Sequence, residues 1–260
     1  MPVSVELIER LSGEQFAIPE LRTPMDARIV SQIAFGFPAA GTTDGWALRF
    51  GRELNATDDR GSFNTTGAGL PVIEGKHVQP FTVAAGSTRH HVEVHVAERL
   101  LPHRSFERSR LAYRDVASST NRLTLIAAVL PAGTVTTHTL FVLRTRVDEE
   151  AQQFLAGIFN SFVANYLVRF RVTTHVTVAI VEQLQLPMPR HSSVDFRTVA
   201  GCARVLADRA DDRQAYARLQ AAAARLYGLD AAAFAHVLST FPLIDEAVRE
   251  ASMDAFTRTV

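Results

Sequence analysis

The sequence predicts an α+β protein: a mixed, mostly antiparallel sheet with packed helices, followed by a helical C-terminal tail. Up to about residue 190, short segments of alternating or β-branched residues dominate, separated by turns rich in glycine, proline, serine and asparagine. Beyond that point, apolar residues recur at helical spacing behind capping residues. We therefore divide the chain into a mixed α/β part, residues 1–190, and a helical part, residues 191–260.

Helical signals are few in the first part of the chain. Val3–Leu11 is a short amphipathic segment. Thr23 and Pro24 predict the start of a helix that runs to Ile33, because threonine caps helices well and proline fits their first turn. Strands are predicted at Trp46–Phe50, His91–Ala97, Arg110–Ala117, Arg122–Leu130 and His138–Leu143, with turns at Ser118–Asn121 and Pro131–Gly133.

The segment Glu149–Pro189 organises the rest of the chain. Its apolar residues from Ala151 to Phe170 follow the i, i+3, i+4, i+7 rhythm of one long amphipathic helix. The opposite, polar face is predicted to carry Gln152, Gln153, Asn160, Asn165 and Arg169. The β-branched run Val176–Val181 then predicts a short strand. Two prolines, Pro187 and Pro189, end the unit, since neither continues a helix or donates to a sheet.

The C-terminal part is predicted to contain four helices. Ser193 caps a helix to about Ala210, and Asp212–Leu226 forms a second that Gly228 ends. Asp230 caps a third helix to about Thr240, and Asp245–Phe256 forms the fourth. Cys202, the single cysteine, falls on an apolar helix side, which indicates a core residue and excludes an internal disulfide or a cysteine-based zinc cluster.

Charge and hydropathy limit the partners of the chain. The net charge is zero and the pI is near 7.2, which argues weakly against nucleic-acid binding. The stretch Arg99–Arg122 is nevertheless locally basic, with six arginines against Glu107 and Asp115. No apolar run approaches the ~20 residues that span a bilayer. The N-terminus does not resemble a signal peptide, so we expect a cytoplasmic protein without a membrane partner.

One short motif indicates metal-dependent hydrolysis. Glu74-Gly75-Lys76 has the E-x-K spacing of many nucleases, and Asp58 and Asp59 lie upstream of it. In such a site the acidic residues, here Asp58 or Asp59 with Glu74, would hold Mg²⁺ while Lys76 orients water. The glycine between the two key residues weakens the strand that normally presents them. A magnesium-dependent nuclease using Asp59, Glu74 and Lys76 therefore stands as an alternative.

Several longer segments together resemble a known family. They are LPVIEGKHVQPF at Leu70–Phe81, the stretch Arg110–Gly133 with RLAYRDVA, and IFNSFVANYLVRFR followed by EQLQLP within Glu149–Pro189. In this order they resemble the C-terminal specificity region, or target-recognition domain, of N6-adenine DNA methyltransferases in type IIG restriction–modification enzymes. RELNATDDRGSF at Arg52–Phe63 and the helical Leu219–Pro242 fit the same family, so the resemblance covers nearly the whole chain.

The resemblance implies sequence-specific recognition of double-stranded DNA on behalf of a methyltransferase domain or subunit. The chain lacks a Pro-Pro dipeptide, so the N-P-P-Y/F motif that holds a flipped adenine in that family is missing. No glycine-rich loop for S-adenosylmethionine is evident either. We therefore expect no catalytic residues and no cofactor or metal site in this chain, with S-adenosylmethionine bound by the implied partner domain.

The resemblance does not identify the residues that contact DNA, so candidates are chosen by their chemistry. Arginines suit phosphates, and side chains with several hydrogen-bonding groups suit base edges. The candidates are Lys76, His77, Arg114, Asn121, Arg122, Thr174 and His175. Three classes of function remain open: a DNA-recognition module, the magnesium-dependent nuclease, and a docking subunit that does not read DNA.

Overall fold

Eight strands form two sheets in the part of the chain that the computed structural model describes, residues 4–12, 20–101, 103–117, 121–172 and 174–258. The strands are β1 (Phe50–Gly51), β2 (Phe63–Asn64), β3 (Leu70–Ile73), β4 (His91–Val92), β5 (Arg110–Arg114), β6 (Ala127–Leu130), β7 (Val135–Thr136) and β8 (Leu140–Leu143). The first sheet has the order β1-β8-β5-β6 and is antiparallel throughout. The second has the order β2-β4-β3-β7, in which only β3 and β7 are parallel.

Ten α-helices lie within the described residues. They are α1 (Val5–Ser12), α2 (Pro24–Gly36), α3 (Val94–Leu100), α4 (Glu149–Phe159), α5 (Phe162–Arg169), α6 (Val178–Glu182), α7 (Val194–Asp208), α8 (Arg213–Leu226), α9 (Ala231–Ser239) and α10 (Glu246–Thr257). The predicted α+β class with a mostly antiparallel arrangement and a helical C-terminal tail is confirmed. The strands divide into two sheets, however, where the sequence indicated one. The predicted strands are also shorter in the structure; Trp46–Phe50, for example, contributes only Phe50.

The capping residues predicted the helices near both ends of the chain correctly. Thr23 accepts a hydrogen bond from the backbone nitrogen of Asp26, whose carboxylate accepts one from Thr23 in return. Ser193, Asp212 and Asp230 cap α7, α8 and α9 through their side chains. A capping interaction involves only residues within one helical turn, so it can be predicted without knowing the rest of the fold.

The predicted long helix over Ala151–Phe170 is wrong, because the chain breaks it at Asn160. Ser161 adopts an extended conformation, and its side chain accepts a hydrogen bond from the backbone nitrogen of Ala164, which starts α5. Serine is among the best residues for this position. The apolar stripe continues across the break, so the hydrophobic pattern alone gives no sign of it.

Two predicted strands form helices instead. Val176–Val181 lies largely in α6, because the Thr177 side chain caps it at the backbone nitrogen of Ile180. His91–Ala97 forms a strand only as far as Val92, and α3 begins at Val94. Ala97 of α3 and Leu101, the residue directly after this helix, are buried, whereas the alternation places Val94, which is 45% exposed, on the buried face. The helical spacing of Ala97 and Leu101 thus determines the structure.

The predicted polar face of α4 and α5 is buried, which corrects the assignment of Gln152, Gln153, Asn160 and Asn165 to a solvent-facing side. Helix α4 packs against β5 and β6 on one side and against α7 and α8 on the other. Phe154 of α4, for example, stacks on Phe196 of α7 with ring centroids 4.6 Å apart. Because α4 is buried from Ala151 to Phe159, the polar residues within this range must bond inside the protein.

One hydrophobic cluster includes residues from both sides of residue 190, from Leu7 to Phe256. Cys202 belongs to it, as predicted. The division of the chain at residue 190 stays a prediction about sequence character. Among the described residues, no helix combines the length and apolarity that crossing a membrane requires.

A buried carboxylate joins three helices near the start of α2. Asp26 accepts hydrogen bonds from the hydroxyl of Tyr166 on α5, at 2.5 Å, and from Nε2 of His236 on α9, at 2.7 Å. Burial opposes the charged form, but the hydrogen bonds from Tyr166, His236 and Thr23 outweigh it and lower the pKa of Asp26 to about 2.

Candidate nucleic-acid interface

Two motifs that carry the family resemblance meet in a buried ion pair. Arg110, at the start of β5, donates from Nε and Nη2 to the Glu53 carboxylate at 3.0 and 3.1 Å. The two side chains are 1% and 0% exposed. Ser105 and Thr136 also donate to the same carboxylate. Because β1 precedes Glu53 in one sheet and Thr136 belongs to β7 in the other, this pair ties the two sheets together.

The ionised form of Glu53 is favoured despite its location. Burial would raise the pKa of this carboxyl, but the charge of Arg110 and the hydrogen bonds from Arg110, Ser105 and Thr136 lower it. The pair is therefore charged in the folded protein, with each partner compensating the other.

A second cross-link between the same motifs lies closer to the surface. Asp115 follows β5 and is buried, and its Oδ2 accepts a hydrogen bond from Arg52 at 2.8 Å. Its Oδ1 lies 3.2 Å from Nδ1 of His175, whose side chain is 52% exposed. The guanidinium of Arg52 also lies over the Phe141 ring, 4.8 Å from its centroid. Asp115 thus holds the edge of the His175 imidazole while the rest of the ring faces outward.

Backbone pairing brings three of the candidate residues to one place. Val116 and His175 form an antiparallel bridge, and the backbone nitrogens of Ala117 and Val176 donate to the carbonyls of Thr174 and Asp115. Arg114, the last residue of β5, is half-buried and directly precedes this bridge. Arg114, Thr174 and His175 are therefore neighbours at one end of the first sheet. Of the predicted turn Ser118–Asn121, only Asn121 lies within the described residues.

Lys76 and His77 approach this end from the second sheet. Gly75–His77 is a single 3₁₀ turn, and the backbone nitrogen of Gly75 donates to the Thr139 hydroxyl at 2.8 Å. The carbonyl of Thr139 in turn accepts from the backbone nitrogen of Asp115 at 3.1 Å. Lys76 is exposed and paired with Glu74.

His77 differs from the other candidates because it is only 7% exposed. Its Nδ1 accepts a hydrogen bond from the backbone nitrogen of Glu74 at 3.0 Å, which uses that atom inside the protein. Burial lowers the pKa of His77, so the neutral imidazole suits this acceptor role. The structure thus gives His77 a place in the 3₁₀ turn, and a contact with DNA stays a prediction.

Asn121 and Arg122 are exposed and lie on the other side of the loop that follows β5. Their carbonyls accept hydrogen bonds from Nη2 of Arg169, at 2.6 and 3.3 Å. The Arg169 guanidinium also donates to the carbonyl of Thr240 and stacks on Phe241, 3.9 Å from the ring centroid. Arg122 lines a cleft of about 410 Å³ between this loop and the helical tail.

Arg169 is a residue whose role the sequence did not indicate. The helical pattern places it on the polar face, but burial lowers the pKa of Arg169 to about 10, and its hydrogen bonds go to backbone carbonyls. Nothing in the local sequence distinguishes such an arginine from one that faces solvent. It anchors the Asn121–Arg122 segment to the tail.

The basic stretch Arg99–Arg122 does not form one continuous cationic surface. Arg110 is buried in its ion pair, and Arg104 pairs with Glu98 and Glu107. Arg108 donates to the carbonyl of Arg144. Among the described parts of this stretch, Arg99, Arg108, Arg114 and Arg122 form no salt bridge, and Arg114 and Arg122 stand on either side of the loop that follows β5.

The two asparagines of the NSFVANY motif form hydrogen bonds with the backbone at the edge of the first sheet. Asn160 pairs with the backbone of Ala127 in both directions, accepting at 3.1 Å and donating at 2.8 Å. Asn165 accepts from the backbone nitrogens of Thr124 and Leu125, both at 2.8 Å. Since β6 is the last strand of its sheet, these amides take the place of a further strand.

The residues of the nuclease alternative bond within their own loops. Asp59 accepts from the backbone nitrogen of Asn55 and Asp58 from its side chain, both at 2.7 Å, while Glu74 pairs with Lys76. Over the part of the chain that the structure describes, no three histidine, cysteine, aspartate or glutamate side chains group as metal ligands would.

Fold and site together define an α+β protein with two cross-linked sheets and a polar end formed by the loop after β5. No family model matches the chain, and no curated protein matches it. Among solved structures, one chain from a structural study of complex assembly and conformational transition of the type I R-M system aligns with a TM-score of 0.40 and 13% identity. The alignment covers 89% of this chain and 51% of that chain, so this protein spans about half its length.

Proposed function

We propose that the chain recognises specific sequences in duplex DNA, as the specificity part of an N6-adenine DNA methyltransferase or restriction–modification enzyme of the type IIG kind. Methyl transfer and S-adenosylmethionine binding belong, in this proposal, to a partner domain or subunit, and the complex works in the cytoplasm. The observation that carries the proposal is the grouping of Lys76, Arg114, Thr174 and His175 at one end of the two sheets, with Asn121 and Arg122 on the same loop.

The chemistry of this end suits both tasks of a DNA-reading surface. Arg114 and Arg122 bring cationic donors that can neutralise phosphates or bind guanine in the major groove. Asn121, Thr174 and His175 bring hydrogen-bonding groups of the size that reads base edges.

Two ion pairs and the contacts of Arg169 hold the backbone at this end of the sheets in place. The Glu53–Arg110 and Arg52–Asp115 pairs and the Arg169 anchor fix the backbone on which the exposed candidates stand. A recognition surface needs such support, because base readout depends on side chains held within a fraction of an ångström. In this proposal the motifs of the resemblance hold the backbone in place. The exposed residues between them determine which DNA sequence is recognised.

The test begins with selection of preferred duplexes from a random library by the whole chain, followed by titration of Arg114→Ala and Arg122→Ala at several salt concentrations. An arginine on a phosphate should weaken binding to all sequences alike and lower the log–log salt slope by ~1. An arginine on guanine should cost ~1–3 kcal/mol at one base position only. Arg258→Ala, which replaces an exposed arginine directly after the last helix, is the matched control.

The outcomes separate the three classes of function. No salt-dependent affinity for any duplex would contradict the proposal and favour the docking subunit. Unchanged binding in both arginine variants would exclude Arg114 and Arg122 from the site. Cleavage of the duplex in Mg²⁺ would favour the nuclease.

A further inference from the structure

A second polar groove lies on the helical tail, along the outer seam between α7 and α8. It has a volume of about 430 Å³ and is lined by Arg197 and Gly201 of α7, Gln214 and Arg218 of α8, and Arg209 in the connection. Its floor is apolar, with the buried Cys202 and Ala215. A Cβ atom added at Gly201 would meet nothing within 4 Å, so the groove is open at its middle.

The charge of this groove is unbalanced. Asp212 is the single acidic residue in its lining, and it already caps α8 at the backbone nitrogen of Ala215 and pairs with Arg209 at 3.2 Å. The exposed Arg197 and Arg218 form no ion pair or side-chain hydrogen bond with the other described residues. Two guanidinium groups therefore face a groove without a carboxylate partner, and each keeps its donors for an external anion.

The dimensions fit an extended anion better than a single ion. Arg197 in α7 and Arg209, the residue directly after this helix, both line the groove and are twelve positions apart, so at ~1.5 Å per residue the groove extends over roughly 18 Å. A DNA strand presents a phosphate every ~3.4 Å along the duplex axis, so several phosphates fall within this span.

We infer that the α7–α8 groove binds the phosphodiester backbone of duplex DNA through Arg197 and Arg218. The inference rests on the proposed function and extends it, because the groove lies on the helical tail and none of its residues belongs to the loop after β5. It supplies affinity without reading sequence, since its donors are arginines directed at phosphate.

The experiment compares two ways of disabling the groove in the whole chain, with the salt dependence of binding to a labelled random-sequence duplex as the readout. Arg197→Ala/Arg218→Ala removes the cations and should lower the log–log slope by ~1.8, or ~0.9 per contact, with a loss of ~10-fold per contact at ~0.1 M salt. Arg204→Ala, on the same helix but outside the groove lining, is the matched control.

Gly201→Glu keeps both arginines and places a carboxylate in the open middle of the groove. The substitution raises helix propensity, so it should not destabilise α7, and a loss of binding cannot be attributed to unfolding. Gly36→Glu makes the same charge change at another exposed helical glycine where an added Cβ also meets nothing within 4 Å. We expect Gly201→Glu to lower affinity at least tenfold and Gly36→Glu to leave it nearly unchanged.

The results distinguish this inference from the proposed function. If Arg114→Ala and Arg122→Ala weaken DNA binding but the groove variants do not, the groove inference is wrong and the proposed function stands. If the unmodified chain binds no duplex, both fall. Inorganic polyphosphate should compete with DNA for the groove; equal competition by polyglutamate would indicate an acidic protein partner and overturn the assignment to DNA.

Discussion

Replacing Glu53 by glutamine tests whether the pair between the two sheets is buried as described. The change removes one charge, keeps the size of the side chain, and leaves the Arg110 guanidinium in a site where it is 1% exposed. Glutamine also presents an amino group to Arg110 and to Thr136, which are themselves donors.

The expected loss is large for a single substitution. Removing one partner of a buried ion pair costs ~3–5 kcal/mol, because the remaining charge has neither a counter-ion nor water. For domains of ~150–250 residues that corresponds to a fall in Tm of roughly 6–20 °C. Urea unfolding followed by circular dichroism, with the slope m fitted for each variant, measures the change in the free energy of unfolding.

Two further variants make the result interpretable. Asp254→Asn breaks a pair whose side chains are 78% and 62% exposed, and it should cost only ~0–1 kcal/mol. Arg110→Met/Glu53→Leu removes both buried charges and should recover part of the stability lost in Glu53→Gln, because Ser105 and Thr136 still lose their acceptor. A loss below ~1 kcal/mol in Glu53→Gln would refute the reasoning, because it would mean that water reaches the Arg110 charge.

Acid stability, cofactor binding and DNA cleavage give three more expected results. A carboxyl whose pKa is lowered on folding stabilises the fold above its unfolded pKa, and this contribution is lost as the pH falls through its folded pKa. Asp26→Asn should therefore flatten the decline in the free energy of unfolding between about pH 4 and about pH 2. An unchanged pH profile, measured by urea unfolding, would count against the buried Asp26 site. Without an N-P-P-Y/F motif or a cofactor loop, the chain should neither bind S-adenosylmethionine nor methylate DNA, and calorimetric binding at micromolar affinity would contradict this. Duplex DNA should stay uncut in Mg²⁺ or Mn²⁺; cleavage that Glu74→Ala abolishes would establish the nuclease instead.

The sequence predicted the features of this fold that depend on neighbouring residues. Ser193, Asp212 and Asp230 mark helix starts because a cap needs only its own next turn. The strand assigned to Val176–Val181 failed because β-branched residues prefer strands only weakly, and the cap at Thr177 determined the outcome.

The pairing of strands and the burial of polar residues could not be predicted in the same way. In the sequence, Asn160 and Asn165 resemble solvent-facing residues. Their hydrogen-bond partners at the sheet edge lie more than thirty positions earlier in the chain. The link between the Gly75–His77 turn and Asp115 likewise depends on Thr139, which bonds to residues that follow strands of separate sheets. Long-range contacts of this kind leave no periodic trace in the sequence.

The amide contacts of Asn160 and Asn165 have a consequence for how the protein is made. On the ribosome, the β5–β6 hairpin emerges before the two asparagines that complete its outer edge, since synthesis proceeds from the N-terminus. During that interval the backbone nitrogens of Leu125 and Ala127 lack the asparagine acceptors that they bond in the folded protein, and they can pair with another nascent chain. Only when α4 and α5 arrive is the edge closed. Slow translation between residues 130 and 165 should therefore favour aggregation, and chaperone binding should concentrate on this window.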